Sequence, residues 1–131
     1  MTYYPAVHAL WEQSDGVGLS SADSPAAIAA YLARNPGMSC VALAHGRVVG
    51  AILCGHDGRR GYIHHLAVHP EWRRQGIATR LVTRALERLR AEGIGKCHLF
   101  IFHANDAGKA FWQAAGWALR QDIQIMSTYA G

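Results

Sequence analysis

The sequence predicts one domain of the α/β (α+β) class, a mixed and mostly antiparallel sheet flanked by helices. Segments with helical periodicity alternate with short, apolar, β-branched segments along the chain. Three of the strand-like segments follow one another closely, separated by turns of a few residues, which favours antiparallel hairpins. With 131 residues, half of them apolar, the chain can bury one core and is too short for two. We expect residues 1–131 to form a single domain.

Two helices are predicted before the sheet. Residues 5–14 carry Val7, Leu10 and Trp11 at helical spacing. Ser24 and Pro25 are a good cap and first-turn pair for a second helix that ends near residue 35.

Three strands follow, at residues 39–44, 48–54 and 62–68. Their residues are largely apolar, and Gly46 and Gly58 lie in the turns between them. The order predicts three consecutive antiparallel strands.

The second half of the chain alternates helix and strand. A helix with one apolar stripe and one basic side starts near Gly76 and ends at Gly93. A strand is predicted at residues 96–102, a helix from Asn105 to about residue 115, and a last strand at residues 122–128.

The loop before the third helix is the clearest functional signal. Pro70 stops the preceding strand, and the loop then contains Arg73, Arg74 and Gly76. The first turn of a helix has backbone N–H groups without intrahelical partners and carries partial positive charge. Gly76 lets an anion approach the backbone, and the two arginines add charge and forked donors. The pattern indicates a site for a pyrophosphate.

Other classes of function are less consistent with the composition. Cys40, Cys54 and Cys97 are far apart and lie in apolar segments, which is typical of reduced core thiols, and we expect no metal site. The formal charge of +4 is compatible with nucleic acid, but the arginines cluster around the loop, and we expect no nucleic-acid partner.

There is no segment like a membrane span or a signal peptide, so a cytoplasmic location is expected.

Two motifs resemble those of the GNAT N-acetyltransferase superfamily. The spacing Arg73-x-x-Gly76-x-Ala78 is similar to its acyl-CoA signature, and the segment from Asn105 to Trp117 is similar to a second family segment. The order of elements also matches the GNAT fold, in which a parallel strand pair splays apart. The family's usual first strand has no counterpart before Tyr4, so the first strand is expected to be missing or truncated. The next strand would then be an exposed edge, which suggests a homodimer.

The resemblance implies acetyl-CoA as co-substrate. The pantetheine arm would pair with the backbone of Leu66, Ala67 and Val68. The remaining residues implied in cofactor binding are Arg73, Arg74, Gln75, Gly76, Ile77, Ala78, Thr79, Asn105, Lys109 and Trp112.

Transfer to an amine needs a base, an oxyanion donor and a route for a proton to the leaving thiolate. The backbone N–H of Val68 is the candidate oxyanion donor. The family often uses a tyrosine as the acid, but that position is Trp112 here, and indole is not a practical acid. Either the thiolate leaves without an acid, or Tyr62 or Tyr129 supplies the proton, or the chain is not an efficient transferase.

His64 is the first candidate for the base. The strand from Tyr62 to Val68 is similar to the histidine-bearing strand of serotonin N-acetyltransferase, and His64 matches the histidine that takes part there in deprotonation. Strand alternation puts Tyr62, His64 and Leu66 on one face and His65 on the other, unless a bulge intervenes. His65 and His103 are weaker candidates, and a structural histidine is an equal alternative for His64.

The sequence thus predicts an acetyl-CoA-dependent N-acetyltransferase that acts on a primary amine by direct attack. The alternative is a non-catalytic acyl-CoA-binding module, which Trp112 favours. Acidic residues near the first two helices, Glu12, Asp15 and Asp23, are candidates to attract a cationic amine, but such residues are more often solvated caps.

Overall fold

Two helices precede the sheet, as the sequence predicts. In the computed structural model, which describes all residues from 1 to 131, they are α1 (Tyr4–Glu12) and α2 (Pro25–Arg34). The Ser24 hydroxyl caps α2 by accepting a hydrogen bond from Ala27 N at 3.2 Å, and Pro25 occupies its first turn.

The chain divides into two compact units, Met1–Phe100 and Ile101–Gly131. The family fold extends across both, and a single domain over residues 1–131 stays a prediction. The first unit also contains helix α3 (Ile77–Ala91) and all four strands, which are β1 (Cys40–Ala44), β2 (Arg47–His56), β3 (Gly61–Val68) and β4 (Cys97–Leu99). The second unit contains helix α4 (Asp106–Ala114).

The four strands form one mixed sheet in the order β1-β2-β3-β4. The first two pairings are antiparallel, and β3 pairs with β4 in parallel. This confirms the predicted fold class. Strand β1, which corresponds to the predicted strand at residues 39–44, is one edge of the sheet.

The two faces of the sheet are covered by different helices. On one face, α1 and α2 contribute to a buried cluster with Ala51, Leu53 and Ala67 of the sheet. On the other face lies α3, because a Cβ added at Gly50 would meet Ile77 and Leu81. Successive residues of a strand point to opposite faces, so Gly50 faces α3 and Ala51 faces α1 and α2.

All three cysteines lie on the α3 face and are free thiols. Cys40 pairs with Ile52, and Ile52 shares a face of β2 with Cys54, two residues further on. Cys97 pairs with Gly61, and a Cβ added at Gly61 would meet Leu89 of α3. Burial raises the pKa of Cys54 to about 12 and that of Cys97 to about 11.

The sequence prediction is wrong at the last strand. Residues 117–131 form neither helix nor strand, and Ile123 and Ile125, which suggested an alternating strand, are exposed. Apolar alternation indicates a face that can be buried, but a strand also needs a partner for its amide groups. The preceding strand is shorter than predicted, because β4 covers only Cys97–Leu99 of residues 96–102.

No helix has both the length and the apolar character needed to cross a bilayer.

Candidate active site

The end of β3 presents a backbone amide that does not face its neighbour β2. Val68 lies opposite Gly50, and the adjacent His69 N donates to Val49 O at 2.8 Å. This pattern makes Val68 and Gly50 a non-hydrogen-bonded pair, so the N–H of Val68 points away from β2. The parallel pairing with β4 ends at Ile63 and Leu99. The edge of β3 beyond Ile63 therefore extends past β4 and offers the Val68 amide.

Ala67 is less suited to a backbone contact with a ligand. It pairs with Ala51, and its side chain is buried in the core. Since neighbouring residues in an antiparallel pair direct their amide groups to opposite sides, the amide groups of Ala67 face β2. Leu66, which is half-buried, precedes it at the end of a distortion in the strand.

The basic loop leads directly into α3. A short 3-10 turn, Pro70–Trp72, follows β3, and Arg73 then donates from Nε to the carbonyl oxygen of Val68 at 3.3 Å. Arg74 and Gly76 both adopt the left-handed conformation, with φ of 61° and 81°. Residues 73–76 are exposed. The left-handed residues turn the chain sharply, so that α3 begins beside the end of β3.

The first turn of α3 is free to bind an anion. Its cap residue, Gly76, has no side chain to accept a hydrogen bond, and the first intrahelical bond is from Arg80 N to Gly76 O. The N–H groups of Ile77, Ala78 and Thr79 consequently have no intrahelical partner. The exposed Arg74 and Gln75 lie beside them and add positive charge and further donors, and the pyrophosphate site stays a prediction.

His64 lies in an aromatic cluster on the α1 and α2 face of the sheet. Its ring stacks on Tyr62, contacts Tyr31 of α2 at a centroid distance of 6.0 Å, and lies 6.3 Å from the ring of Phe100. Burial lowers the pKa of His64, the neighbouring His65 lowers it further, and Asp23 has the opposite effect. A neutral imidazole can accept a proton at neutral pH.

A bulge in β3 changes the predicted faces of the two histidines. Leu53 pairs with His64 and Ala51 with Ala67, so β3 has one more residue than β2 between these pairs. His65 is in the left-handed conformation, with φ of 52°. Its Nε2 lies 2.7 Å from Oδ1 of Asp23, which follows α1 on the same face of the sheet as His64. The prediction from simple alternation, that the two histidines face opposite sides, is wrong.

Asp23, a predicted candidate to attract an amine, is instead buried within the protein. It is only 5% exposed, and its second carboxylate oxygen accepts from Ser20 N at 2.9 Å. The expectation of a solvated cap is wrong for this residue. The Ser-x-x-Asp spacing of a capping box was a sequence signal for the Ser20 contact, but the partner His65 is 42 residues away. Glu12, by contrast, is exposed and lies 2.8 Å from His8 Nδ1.

The site residues predicted in the second unit have local partners there. Asn105 Oδ1 caps α4 by accepting from Gly108 N at 2.9 Å, and Lys109 Nζ donates to the carbonyl oxygen of His103. Trp112 packs edge-on against Trp117, with ring centroids 4.8 Å apart. Their roles toward a cofactor stay predictions.

Of the two tyrosines considered as acids, Tyr62 is in contact with His64, whereas Tyr129 is 95% exposed near the end of the chain. Tyr31 was not a candidate. Its hydroxyl is buried without a hydrogen-bond partner, and it is held away from solvent beside Gly55. No group of three or more metal-ligating side chains is arranged around a common point.

The chain is similar to known acetyltransferases over most of its length. It matches the Acetyltransferase (GNAT) family over residues 4–117. An acetyltransferase of Pectobacterium atrosepticum is 38% identical over 104 residues, which cover 79% of this chain and 73% of that one. The solved structure of an aminoglycoside 6'-N-acetyltransferase from Acinetobacter haemolyticus has a TM-score of 0.80 at 15% identity and covers 99% of this chain and 94% of that one.

A second solved structure is that of AAC(6')-Iy in complex with a bisubstrate analogue, CoA-S-monomethyl-acetylneamine. It has a TM-score of 0.76 at 16% identity and covers 98% of this chain and 93% of that one. At 16% sequence identity, this structural similarity supports the fold alone. The family match, the identity to the Pectobacterium protein and the shared architecture together show that this chain belongs to the GNAT family of acetyltransferases.

Proposed function

We propose that the protein transfers the acetyl group of acetyl-CoA to a primary amine of a small molecule or protein, by direct attack while both substrates are bound. The observation that carries the proposal is the junction of β3 and α3. There the amide of Val68 faces away from β2, and the exposed loop leads into the uncapped first turn of α3. Membership of the GNAT family supports acetyl transfer as the reaction.

Acetyl-CoA fits this junction by its chemistry. A pyrophosphate carries negative charge and acceptor oxygens, which the free amides of residues 77–79 and the side chains of Arg73 and Arg74 complement. The pantetheine arm has amide groups that can pair with the open edge of β3 at Leu66 and Val68. We assign Asn105, Lys109 and Trp112 to the cofactor only from the family resemblance.

The proposed chemistry uses two groups of β3. His64 accepts a proton from the substrate ammonium, because burial keeps the imidazole neutral at working pH. The Val68 N–H donates to the thioester oxygen as negative charge develops on it. The free amine then attacks the carbonyl carbon and the C–N bond forms. As the C–S bond breaks and CoA leaves as the thiolate, the attacking nitrogen loses its second proton, which replaces the one that the thiolate takes up. Tyr62, stacked on His64, is the candidate to supply the thiolate with a proton.

The test is acetyl-CoA-dependent thiol release with a panel of amines that includes polyamines, aminoglycosides, amino-acid derivatives and peptides with a free N-terminus. At least one amine should stimulate thiol release above the rate of hydrolysis, with formation of the acetylated amine by mass spectrometry. Tight acetyl-CoA binding without stimulation by any amine would contradict the enzymatic proposal.

The second candidate is a non-catalytic acyl-CoA-binding module, favoured by Trp112 at the position of the family's usual tyrosine acid. Trp112→Tyr separates the two. A large rise in turnover means that a missing acid limits the chemistry, whereas unchanged turnover means that the step does not need one. Trp117→Tyr is the matched control, because it alters the same Trp112–Trp117 contact without placing a phenol at position 112.

A homodimer and a cytoplasmic location stay predictions. We propose no metal, nucleic acid or membrane as a partner.

A further inference from the structure

The hydrogen-bonded pair of Asp23 and His65 joins two segments that are far apart in sequence. Nε2 of His65 and Oδ1 of Asp23 are 2.7 Å apart, and their side chains are 17% and 7% exposed. The His65 ring also packs against Trp11 in a T-shaped arrangement, at a centroid distance of 5.0 Å. The contact lies on the face of the sheet that carries the proposed base.

Asp23 is itself held firmly. Its Oδ2 accepts from Ser20 N in a capping box, and its carbonyl oxygen accepts from the Tyr4 hydroxyl at 2.6 Å. Both carboxylate oxygens are therefore engaged within the protein. This arrangement suits a fixed anchor better than a group that binds a substrate cation.

His65 needs such an anchor because of its backbone. A left-handed conformation is unfavourable for a residue with a Cβ, and in a strand it produces the extra residue of the bulge. If His65 relaxed to an extended conformation, every residue on one side of it would turn to the opposite face of the sheet. His64 and Val68 lie on either side of this point, so their relative orientation depends on the bulge.

We propose that Asp23 and His65 are positioning residues that hold the β3 bulge, so that the His64 imidazole and the Val68 amide face the same reaction centre. The proposal rests on the proposed function of His64 and Val68. Neither Asp23 nor His65 exchanges a proton with a substrate in this arrangement. Their hydrogen bond also ties the turn between α1 and α2 to β3.

The test compares two substitutions at one position. His65→Ala removes the imidazole and leaves a Cβ, so we expect kcat to fall by about 100-fold, as for a small misplacement of reacting groups. His65→Gly also removes the imidazole, but glycine adopts a positive φ readily, so it should recover at least about 10-fold of the lost turnover. Equal losses in the two variants would overturn the proposal, because the loss of turnover would then not depend on the backbone conformation at position 65.

Asp23→Ala tests the other half of the pair, with Asp15→Ala as its control, because Asp15 is an exposed acid in the same loop. We expect Asp23→Ala to resemble His65→Ala in kcat, and the double variant to be no worse than either single one. Additive losses would contradict a shared role.

Hydrogen exchange separates a failure of this proposal from a failure of the proposed function. The backbone amides of residues 64–68 should exchange faster in Asp23→Ala than in the unmodified protein or in Asp15→Ala. Unchanged exchange would overturn the positioning role, even if the protein acetylates no amine. Wild-type-like turnover in His64→Gln, with the exchange difference present, would instead contradict the role of His64 alone.

Discussion

The ring of Tyr62 stacks on the ring of His64, with centroids 6.5 Å apart and planes inclined by 11°. The two side chains are two residues apart on β3 and share the face that α1 and α2 cover. The near-parallel Tyr62 ring limits the orientations of the imidazole. The proposed base is therefore already oriented before the substrate binds.

His64→Gln should lower kcat by about 100-fold or more, within the range for loss of a general base, while the affinity for acetyl-CoA is unchanged. Steady-state thiol release and calorimetric titration measure the two quantities. His98→Gln is the matched control, since His98 also packs against Tyr62, at a centroid distance of 5.9 Å, but has no proposed role in the reaction. Equal turnover of the two variants would rule out His64 as the base.

The pH dependence should show an acid limb at unusually low pH. Only neutral His64 can accept a proton, and its pKa is lowered by burial, so the neutral form persists on acidification below the ordinary histidine value of about 6.5. We expect the midpoint of the acid limb of kcat to lie below that value and to disappear in the residual activity of His64→Gln. Rate measurements across the acid range test this, and a midpoint above the ordinary value would contradict it.

Gly76→Val should weaken acetyl-CoA binding because it adds a side chain at the entrance to the first turn of α3. Gly76 has φ of 81° and its added Cβ would meet no protein atom within 4 Å, so the backbone conformation is the source of instability, at about 1–2 kcal/mol. Gly93→Val is a close control: Gly93 has the same φ of 81°, equally open surroundings, and lies beyond the other end of α3. Both variants should lose similar stability, and only Gly76→Val should lose affinity. Full affinity in folded Gly76→Val would contradict a pyrophosphate site.

Gly55→Ala should destabilise the fold by about 1–3 kcal/mol, as expected for overpacking. The added Cβ would lie 2.5 Å from the Tyr31 hydroxyl and 2.6 Å from Asn35 Cγ. The Tyr31 hydroxyl is buried without a hydrogen-bond partner, so Tyr31→Phe should be neutral or stabilising and should partly restore the stability of Gly55→Ala. Urea unfolding of the two single variants and the double variant measures this coupling. Destabilisation by Tyr31→Phe alone would indicate a partner for the hydroxyl.

Local sequence signals predicted much of the fold. The Ser24-Pro25 pair marks the start of α2, and the apolar stripe of α3 and the turn at Gly76 are visible as short-range patterns. The family motif around Gly76 coincides with the loop that adopts the left-handed conformation at Arg74 and Gly76. In each case the deciding interactions join residues close in sequence.

The sequence leaves a bulge near His65 only as an open exception to strand alternation, and it does not predict the absence of a strand at residues 122–128, because both depend on interactions between distant segments. Strict alternation describes a regular strand, and only the contact with Asp23 shows that His65 departs from it. Likewise, Ile123 and Ile125 have the spacing of strand residues, but no ladder partner is encoded in the segment itself.

The position of the cysteines restricts the kinetic mechanism. Cys54 and Cys97 are neutral thiols with strongly raised pKa values, and all three cysteines lie on the sheet face opposite to His64. A thiol must be ionised and accessible to accept an acyl group. Cys54 and Cys97 are therefore poorly suited to form a covalent acetyl-enzyme, and Cys40 lies on the face opposite to His64, so we expect no double-displacement route through a cysteine. Initial-rate plots against the two substrates should give intersecting rather than parallel lines, and acetyl-CoA alone should produce no burst of free CoA.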